Sequence, residues 1–125
     1  MTTNTARAAA GDTRSISQSI AEHVVAFDYS QLPASAVQAA KTLILDTLAV
    51  GWAGTTAPGA PEAHALLTEE GGRGDSSVWG YGGKLPVASA AFLNSISGGA
   101  LDYDGVNTVH AEIVALPAAL AGSCE

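Results

Sequence analysis

The sequence predicts an all-α domain of about five helices behind a flexible tail. Apolar residues make up 47% of the 125 residues but aromatic residues only 6%, and a composition of small apolar side chains is typical of closely packed helices. Apolar residues recur every three or four positions, which is the period of a helix face. Prolines open these segments and glycines close them. We assign residues 1–14 to the tail and residues 15–125 to the helical domain.

The first two helices are predicted from their starts and their apolar faces. Ser15 and Gln18 have the spacing of a capping box, in which each side chain satisfies a first-turn N–H. The second helix starts near Pro33. The apolar residues of the first helix are Ile16, Ile20, Val24 and Phe27, and those of the second include Val37, Ala40, Leu43, Ile44, Leu45, Leu48, Val50 and Trp52. Because the second helix is apolar on more than one side, most of it is expected to be buried.

The third helix is predicted to start at Pro61 after a turn over residues 55–59, and glycines from Gly71 onward end it. Residues 76–79 are expected to be a short extended piece, followed by a glycine-rich loop. That loop lacks the G-x-x-x-x-G-K-[ST] pattern of a phosphate-binding loop.

The fourth helix is predicted to run from Pro86 to Gly98 and Gly99, and the fifth from near His110 towards Ala121. Residues 101–109 between them are expected to be irregular. Pro117 falls inside the fifth helix and predicts a kink or a late start there, because proline removes a helical hydrogen bond.

Charge and cysteine content exclude several functional classes. Five Lys and Arg face twelve Asp and Glu, giving a net charge of −7. Nucleic acids and anionic membranes both require cationic surfaces, so neither is an expected partner. The lone Cys124 cannot form an internal disulfide, and the N-terminus lacks the apolar stretch of a signal peptide. With no stretch long enough to span a bilayer, we expect a soluble cytoplasmic protein.

The polar residues best suited to catalysis are Asp102, Asp104 and His110. In an extended segment, residues two apart point the same way, so the two aspartates would lie about 7 Å apart. Two close carboxylates raise one pKa, which suits a general acid or base near neutral pH. A histidine titrates in the same range and is a natural partner.

Other interpretations of this cluster stay open. Asp104 or Thr108 would also serve as an ordinary cap of the fifth helix. A metal site would have two acids and one histidine, a weak ligand set without a further His or Cys. Outside the cluster, His23 is expected on a helix face, His64 facing solvent, Asp46 partnered or partly wet, and Cys124 without a base that would make it a nucleophile.

Four collinear segments resemble the N-terminal half of MmgE/PrpD proteins. Residues 36–50 are similar to the family's A-K-x-x-x-L-D-T-L-x-V helix, and residues 78–94 to its V-W-G-x-G-x-x-x-P…A-A-F-x-N-G stretch. Residues 100–104 resemble the H-x-L-D-[FY]-D-D-T signature, and residues 110–121 resemble H-P-S-x-x-V-x-P-A-A-L-A. The resemblance covers the chain from about Ile16 to Glu125.

The resemblance implies a helical domain that complete family members combine with an α+β lid domain, which we expect this chain to lack. It implies proton abstraction next to a carboxylate of a small di- or tricarboxylate, without metal or cofactor, followed by dehydration, decarboxylation or epimerisation. Asp102 and His110 match signature residues of the active site. We therefore assign Asp102, His110 and Asp104 as catalytic, with Asp104 positioning or tuning Asp102.

The sequence also departs from the family pattern. Gly99 stands where the signature has histidine, Gly105 and Val106 replace its last Asp and Thr, and Ala111 replaces the proline of H-P-S. Family members run to several hundred residues. A tricarboxylate requires a cationic clamp, and the folded part offers only three cations, namely Lys41, Arg73 and Lys84. The clamp and lid are therefore expected on another chain or on residues not present.

Three functions follow as hypotheses. The first is a fragment or subunit of an MmgE/PrpD-type lyase or isomerase that works with a separate C-terminal or lid subunit. The second is a non-catalytic helical module for oligomerisation or binding. The third is a small metal-binding protein that uses Asp102, Asp104 and His110. Exposed apolar surface on the second helix would further predict self-association or a partner.

Overall fold

The computed structural model describes residues 15–103, 105 and 110–123. Within these ranges the chain forms five α-helices and one pair of two-residue strands, which confirms the predicted, mostly helical fold. The elements are α1 (Ile16–Ala26), α2 (Ala34–Ala53), α3 (Ala60–Glu70), β1 (Ser76–Ser77), β2 (Lys84–Leu85), α4 (Val87–Gly99) and α5 (Ala111–Gly122). The chain divides into two compact units, and the boundary in the sequence falls between Pro33 and Ala34. The predicted tail and Cys124 lie outside the described residues.

The first unit contains α1 and a 3₁₀ turn over Tyr29–Gln31. The predicted cap of α1 is confirmed, because the Ser15 hydroxyl accepts from the Gln18 N–H at 3.1 Å. The Gln18 side chain does not return to the cap as predicted. It donates instead to the Glu22 carboxylate at 3.0 Å, one turn further along the helix. No residue of α1 is buried, so its apolar stripe is open.

In the second unit, α2 begins directly after Pro33 as predicted, but the expectation that most of it is buried is wrong. Its buried residues are Thr47 and Gly51, whereas Leu45 and Trp52 are about two-thirds exposed, at 70% and 66%. The helical spacing of apolar residues identifies an apolar face, but it does not show which other element packs on that face. No helix among the described residues has the length and apolar character to cross a membrane.

The third helix confirms its predicted boundaries. Pro61 lies in the first turn, and Gly71 ends the helix with a positive φ of 69°. The Glu62 carboxylate also accepts from the Gly59 N–H at 3.0 Å, a cap that the sequence analysis missed.

The glycine-rich segment forms a β-hairpin in which β1 and β2 pair antiparallel, with Ser76 opposite Leu85. The extended piece predicted at residues 76–79 is a strand only in its first half, and its partner β2 was not predicted. The main core lies between this hairpin and helices α3 and α4. It contains Leu67, Val78, Leu85, Ala90 and Leu93, with Ala63 and Tyr81 packed against it.

A buried asparagine fastens the hairpin to α4. The Asn94 Oδ1 accepts from the Trp79 N–H at 2.9 Å, and its Nδ2 donates to the Ser77 carbonyl at 3.2 Å. Asn94 is 2% exposed, so water does not replace these bonds. One side chain therefore binds the backbone at the end of β1 and again two residues further along the hairpin.

Close approach of α4 to its neighbours depends on glycine. A Cβ on Gly54, in the 3₁₀ turn after α2, would lie 1.9 Å from the Ser97 carbonyl oxygen. A Cβ on Gly98 would lie 3.0 Å from Ile113 in α5. The fifth helix starts at Ala111, as predicted from His110, and continues through buried Pro117 without the late start considered above.

Candidate functional site

The connection between α4 and α5 carries the residues predicted to be catalytic. Asp102 follows the end of α4, where its N–H donates to the Gly99 carbonyl at 3.1 Å. Its side chain is exposed, and its φ of +54° makes it the one non-glycine among the described residues with a positive φ. Left-handed backbone is costly for an L-residue, although Asp tolerates it better than most.

This conformation corrects the geometry assumed for the two aspartates. The separation of about 7 Å expected for Asp102 and Asp104 requires extended backbone at both residues. At Asp102 the backbone is left-handed instead, because the chain is leaving the end of a helix. Asp104 lies outside the described residues, and so does Thr108, the other predicted cap.

His110 immediately precedes α5 and is exposed. Its backbone, with φ −77° and ψ 63°, leads into the helix, and its side chain does not cap it. The N-terminus of a helix carries partial positive charge and free N–H groups, which favour an anion there. In α5 the carboxylate of Glu112 already lies in the first turn and offsets that partial charge.

Helix packing places the two ends of this connection on the same side of the molecule. Gly98 and Gly99 at the end of α4 lie against Ile113 in the first turn of α5. A Cβ added at either glycine would lie 3.0 Å from the Ile113 side chain. The chain thus leaves α4 and enters α5 at adjacent points. Asp102 lies three residues after the end of α4 and His110 directly precedes α5, so both belong to the connection between these helices.

A carboxylate that was not predicted lies under the same connection. Glu112, in the first turn of α5, packs so closely against Gly105 that a Cβ there would be 2.5 Å from Oε1 of Glu112. The Oε2 of Glu112 is buried and has no hydrogen-bond partner within residues 15–103, 105 and 110–123. Glycine at position 105 therefore makes room for the carboxylate of residue 112.

Glu112 lines a cleft of about 240 Å³ between α2 and α5. The other lining residues are Leu43, Ile44, Thr47, Ala115, Leu116 and Ala119. The Thr47 hydroxyl is already used, because it donates to the Leu43 carbonyl at 2.8 Å. Glu112 is thus the single charged group in an otherwise apolar cleft.

A larger cleft of about 400 Å³ lies beside the hairpin, with Leu48, Trp52 and Trp79 among its walls. None of its lining residues is ionisable, so it offers shape and apolar surface without an acid or a base.

The other histidines and the acid that the sequence analysis considered lie outside this connection. His64 was expected to face solvent, but it is half-buried and stacks on Tyr81 with ring centres 4.2 Å apart. The Tyr81 hydroxyl donates to the Thr55 carbonyl at 2.6 Å, and burial raises the pKa of Tyr81 above its usual 10.0. His23 lies on an exposed helix face as expected, and Asp46 is exposed.

No group of three potential metal-binding side chains occurs within the described residues. Since Asp104 falls outside them, the predicted metal alternative remains a hypothesis.

Glu112 and Asn94 are the residues of functional or structural weight that the sequence analysis did not single out. The signal for Glu112 was an acid in the first turn of an otherwise apolar helix, seven residues after an unexplained glycine. Its significance depends on the packing of Gly105, which no periodicity reveals.

Comparison with known proteins agrees with this architecture. The family model for the MmgE/PrpD N-terminal domain matches residues 18–124. No solved structure matches the chain significantly.

Two curated proteins are similar to the chain. A cis-aconitate decarboxylase-like protein, oryM, of Aspergillus oryzae is 33% identical over 97 residues, which are 75% of this chain and 20% of that protein. The cis-aconitate decarboxylase of Homo sapiens is 32% identical over 92 residues, which are 73% of this chain and 19% of that protein. The chain thus spans about a fifth of the length of these relatives.

Proposed function

The chain belongs to the MmgE/PrpD family, and we propose that it supplies the helical part of a lyase or isomerase acting on a small di- or tricarboxylate. The shared step would be removal of a proton from the carbon next to a carboxylate. The observation that carries the proposal is the packing of α4 on α5, since Ile113 beneath Gly98 and Gly99 joins the two ends of the segment that contains Asp102 and His110.

The proposed roles follow from exposure and chemistry. Asp102 and His110 are both exposed, so a substrate has access to both side chains. A carboxylate and an imidazole suit the two halves of acid–base catalysis, in which one removes and the other returns a proton. Asp104 would position or tune Asp102, as the sequence analysis proposed.

Substrate charge argues that further polypeptide takes part. A di- or tricarboxylate requires cations, and arginine or lysine usually provides them. Of the three cations in the described residues, Arg73 is already paired with Asp75 at 2.6 Å. The carboxylate of Glu112 in the first turn of α5 opposes a second anion at that helix start. The clamp would come from a separate C-terminal or lid subunit, or from a second copy.

Among dehydration, decarboxylation and epimerisation, decarboxylation is the first reaction to test because both similar proteins carry that name. The proposed substrate class is an unsaturated tricarboxylate such as cis-aconitate. No metal or cofactor has a role in this proposal.

The test uses the protein purified from its source with any polypeptide that accompanies it. Decarboxylation would be followed as CO₂ release from a tricarboxylate. Asp102→Asn and His110→Ala should each lower the rate about 100-fold, as expected for general acid–base groups. Glu69→Gln, which changes an exposed acid at the far end of α3, should leave the rate unchanged. Full activity in both site variants would refute the assignment.

A non-catalytic module is the alternative, and one observation favours it. The described part of α2 exposes large apolar side chains, including Leu45 and Trp52, as an interaction surface would. This alternative predicts a stable complex that shows no carboxylate chemistry. Assembly with active partners followed by normal turnover would exclude it.

A further inference from the structure

We propose that the cleft between α2 and α5 receives a lysine or arginine side chain from the polypeptide that completes the family's length, with its cation against the carboxylate of Glu112. The inference rests on the proposed function only in assuming that the chain works with further polypeptide. The observation behind it is a carboxylate oxygen, Oε2 of Glu112, that is buried without a hydrogen-bond partner among the described residues.

An unpartnered carboxylate oxygen is costly in a folded protein. Burial removes its water, and within the described part of the chain no group replaces the hydrogen bonds that Oε2 of Glu112 loses. On the side of the connection, Gly105 lies close to the carboxylate of Glu112. The groups that satisfy such an oxygen best are cationic N–H donors, which form short and strong hydrogen bonds with carboxylates.

The walls of the cleft fit the rest of a long cationic side chain. Apart from Glu112 and the internally bonded Thr47, the lining consists of leucine, isoleucine and alanine side chains. Lysine and arginine lay their methylene stems along apolar surface while the charged end finds a polar partner. A volume of about 240 Å³ accommodates one such side chain.

Charge identifies the occupant as cationic. The chain carries a net charge of −7, and Glu112 is the one charged residue of the cleft. An anionic ligand would be repelled, and a purely apolar segment would bury the carboxylate further without a partner. The chain spans about a fifth of its relatives' length, so much of the family's polypeptide is available to provide the cation.

The experiment uses side-chain analogues, since the partner is unidentified. The isotope-labelled chain is titrated with n-butylammonium chloride, which reproduces the end of a lysine side chain, and separately with 1-butanol, its neutral counterpart. Binding is followed by NMR at the backbone amides of the cleft residues and at the side-chain carboxyl carbon of Glu112. We expect n-butylammonium to shift the Glu112 carboxyl resonance and 1-butanol to leave it unchanged.

Glu112→Gln should weaken n-butylammonium binding about tenfold, because it replaces a charge-assisted hydrogen bond by a neutral one. Binding of 1-butanol should be unaffected. Glu69→Gln removes the same charge at an exposed position and controls for general attraction to an acidic protein. The side-chain carboxyl resonance of the unmodified chain gives an answer even if the Glu112 variant does not fold.

Equal binding of n-butylammonium to the unmodified chain and to Glu112→Gln would overturn the proposal. Shifts located outside the cleft, or a cleft filled by a second copy of the chain, would do so as well. None of these outcomes depends on turnover, so a failed lyase assay and a failed cation site are distinguishable.

Discussion

The hairpin with α4 and the connection between α4 and α5 contrast in how their polar residues are used. Against the hairpin, the polar side chain of Asn94 is buried and makes two hydrogen bonds to backbone. In the connection, Asp102 and His110 are exposed, and Asp102 has left-handed backbone. The polar group between the hairpin and α4 stabilises the fold, whereas the polar side chains of the connection are accessible to solvent.

Under the proposed function, this difference assigns stability to the inner side of α4 and acid–base chemistry to the residues just beyond its end. Changes on the inner side of α4 should unfold the protein, whereas changes just beyond its end should alter activity and leave the fold intact. The following predictions test that separation by unfolding of the isolated chain in urea, beginning with the largest expected effect.

Gly54→Ala should be the most destabilising substitution. Its Cβ would lie 1.9 Å from the Ser97 carbonyl oxygen. The Cβ position is fixed by the backbone of residue 54 and the oxygen is itself a backbone atom, so neither can move away by side-chain rotation. Relief requires the turn after α2 to separate from α4, at a cost of about 3 kcal/mol or more in the free energy of unfolding. Gly122→Ala is the matched control, because nothing lies within 4 Å of its added Cβ. Equal stability of the two variants would contradict the close packing of α4.

Asn94→Leu should lower the free energy of unfolding by about 2 kcal/mol. It leaves the Trp79 N–H and the Ser77 carbonyl without their partner in a dry environment. Thr42→Val serves as the control, because the Thr42 hydroxyl bonds to the Gln38 carbonyl on an exposed helix face. If both substitutions had the same small effect, Asn94 would not be fastening the hairpin.

Tyr81→Phe should cost about 1 kcal/mol, since it removes the hydrogen bond to the Thr55 carbonyl. A pH effect should accompany it. Burial raises the pKa of Tyr81 above 10.0, so the unfolded chain loses this proton first. The contribution of Tyr81 is therefore intact below pH 10 and declines as pH rises towards the folded-state pKa.

The Tyr81→Phe variant should lack that part of the alkaline decline. Unfolding curves of both proteins between pH 8 and pH 11 measure it, and parallel curves throughout would show that Tyr81 does not couple stability to pH.

Helix boundaries were predictable from sequence because local chemistry sets them. Proline at positions 33, 61 and 86 opens or immediately precedes a helix, and Gly71 ends one through its positive φ. The burial of α2 was not predictable, because its period shows where apolar residues lie and not what packs on them. Leu45 is accordingly 70% exposed despite its favourable position.

The sequence proposed residues for the candidate site, whose roles stay a prediction, but it could not give their geometry. Asp102 and His110 could be selected by chemistry and by resemblance to a family motif. The left-handed backbone of Asp102 depends on how α4 ends, and the place of Glu112 depends on how α5 packs against Gly105. Both are consequences of tertiary packing, which a single sequence does not specify locally.

Asp102→Gly should have the smallest effect on stability and the opposite sign. Glycine adopts a φ of +54° without the steric cost that an aspartate bears, and the exposed side chain contributes no burial. The greater freedom of glycine in the unfolded chain offsets part of this gain, so the free energy of unfolding should rise by about 0–1 kcal/mol. Carboxylate chemistry in the assembled enzyme should nevertheless fall as far as it does for Asp102→Asn. A decrease of more than about 1 kcal/mol in the free energy of unfolding would show that Asp102 stabilises the end of α4. The proposed difference between the two regions would then be wrong for Asp102.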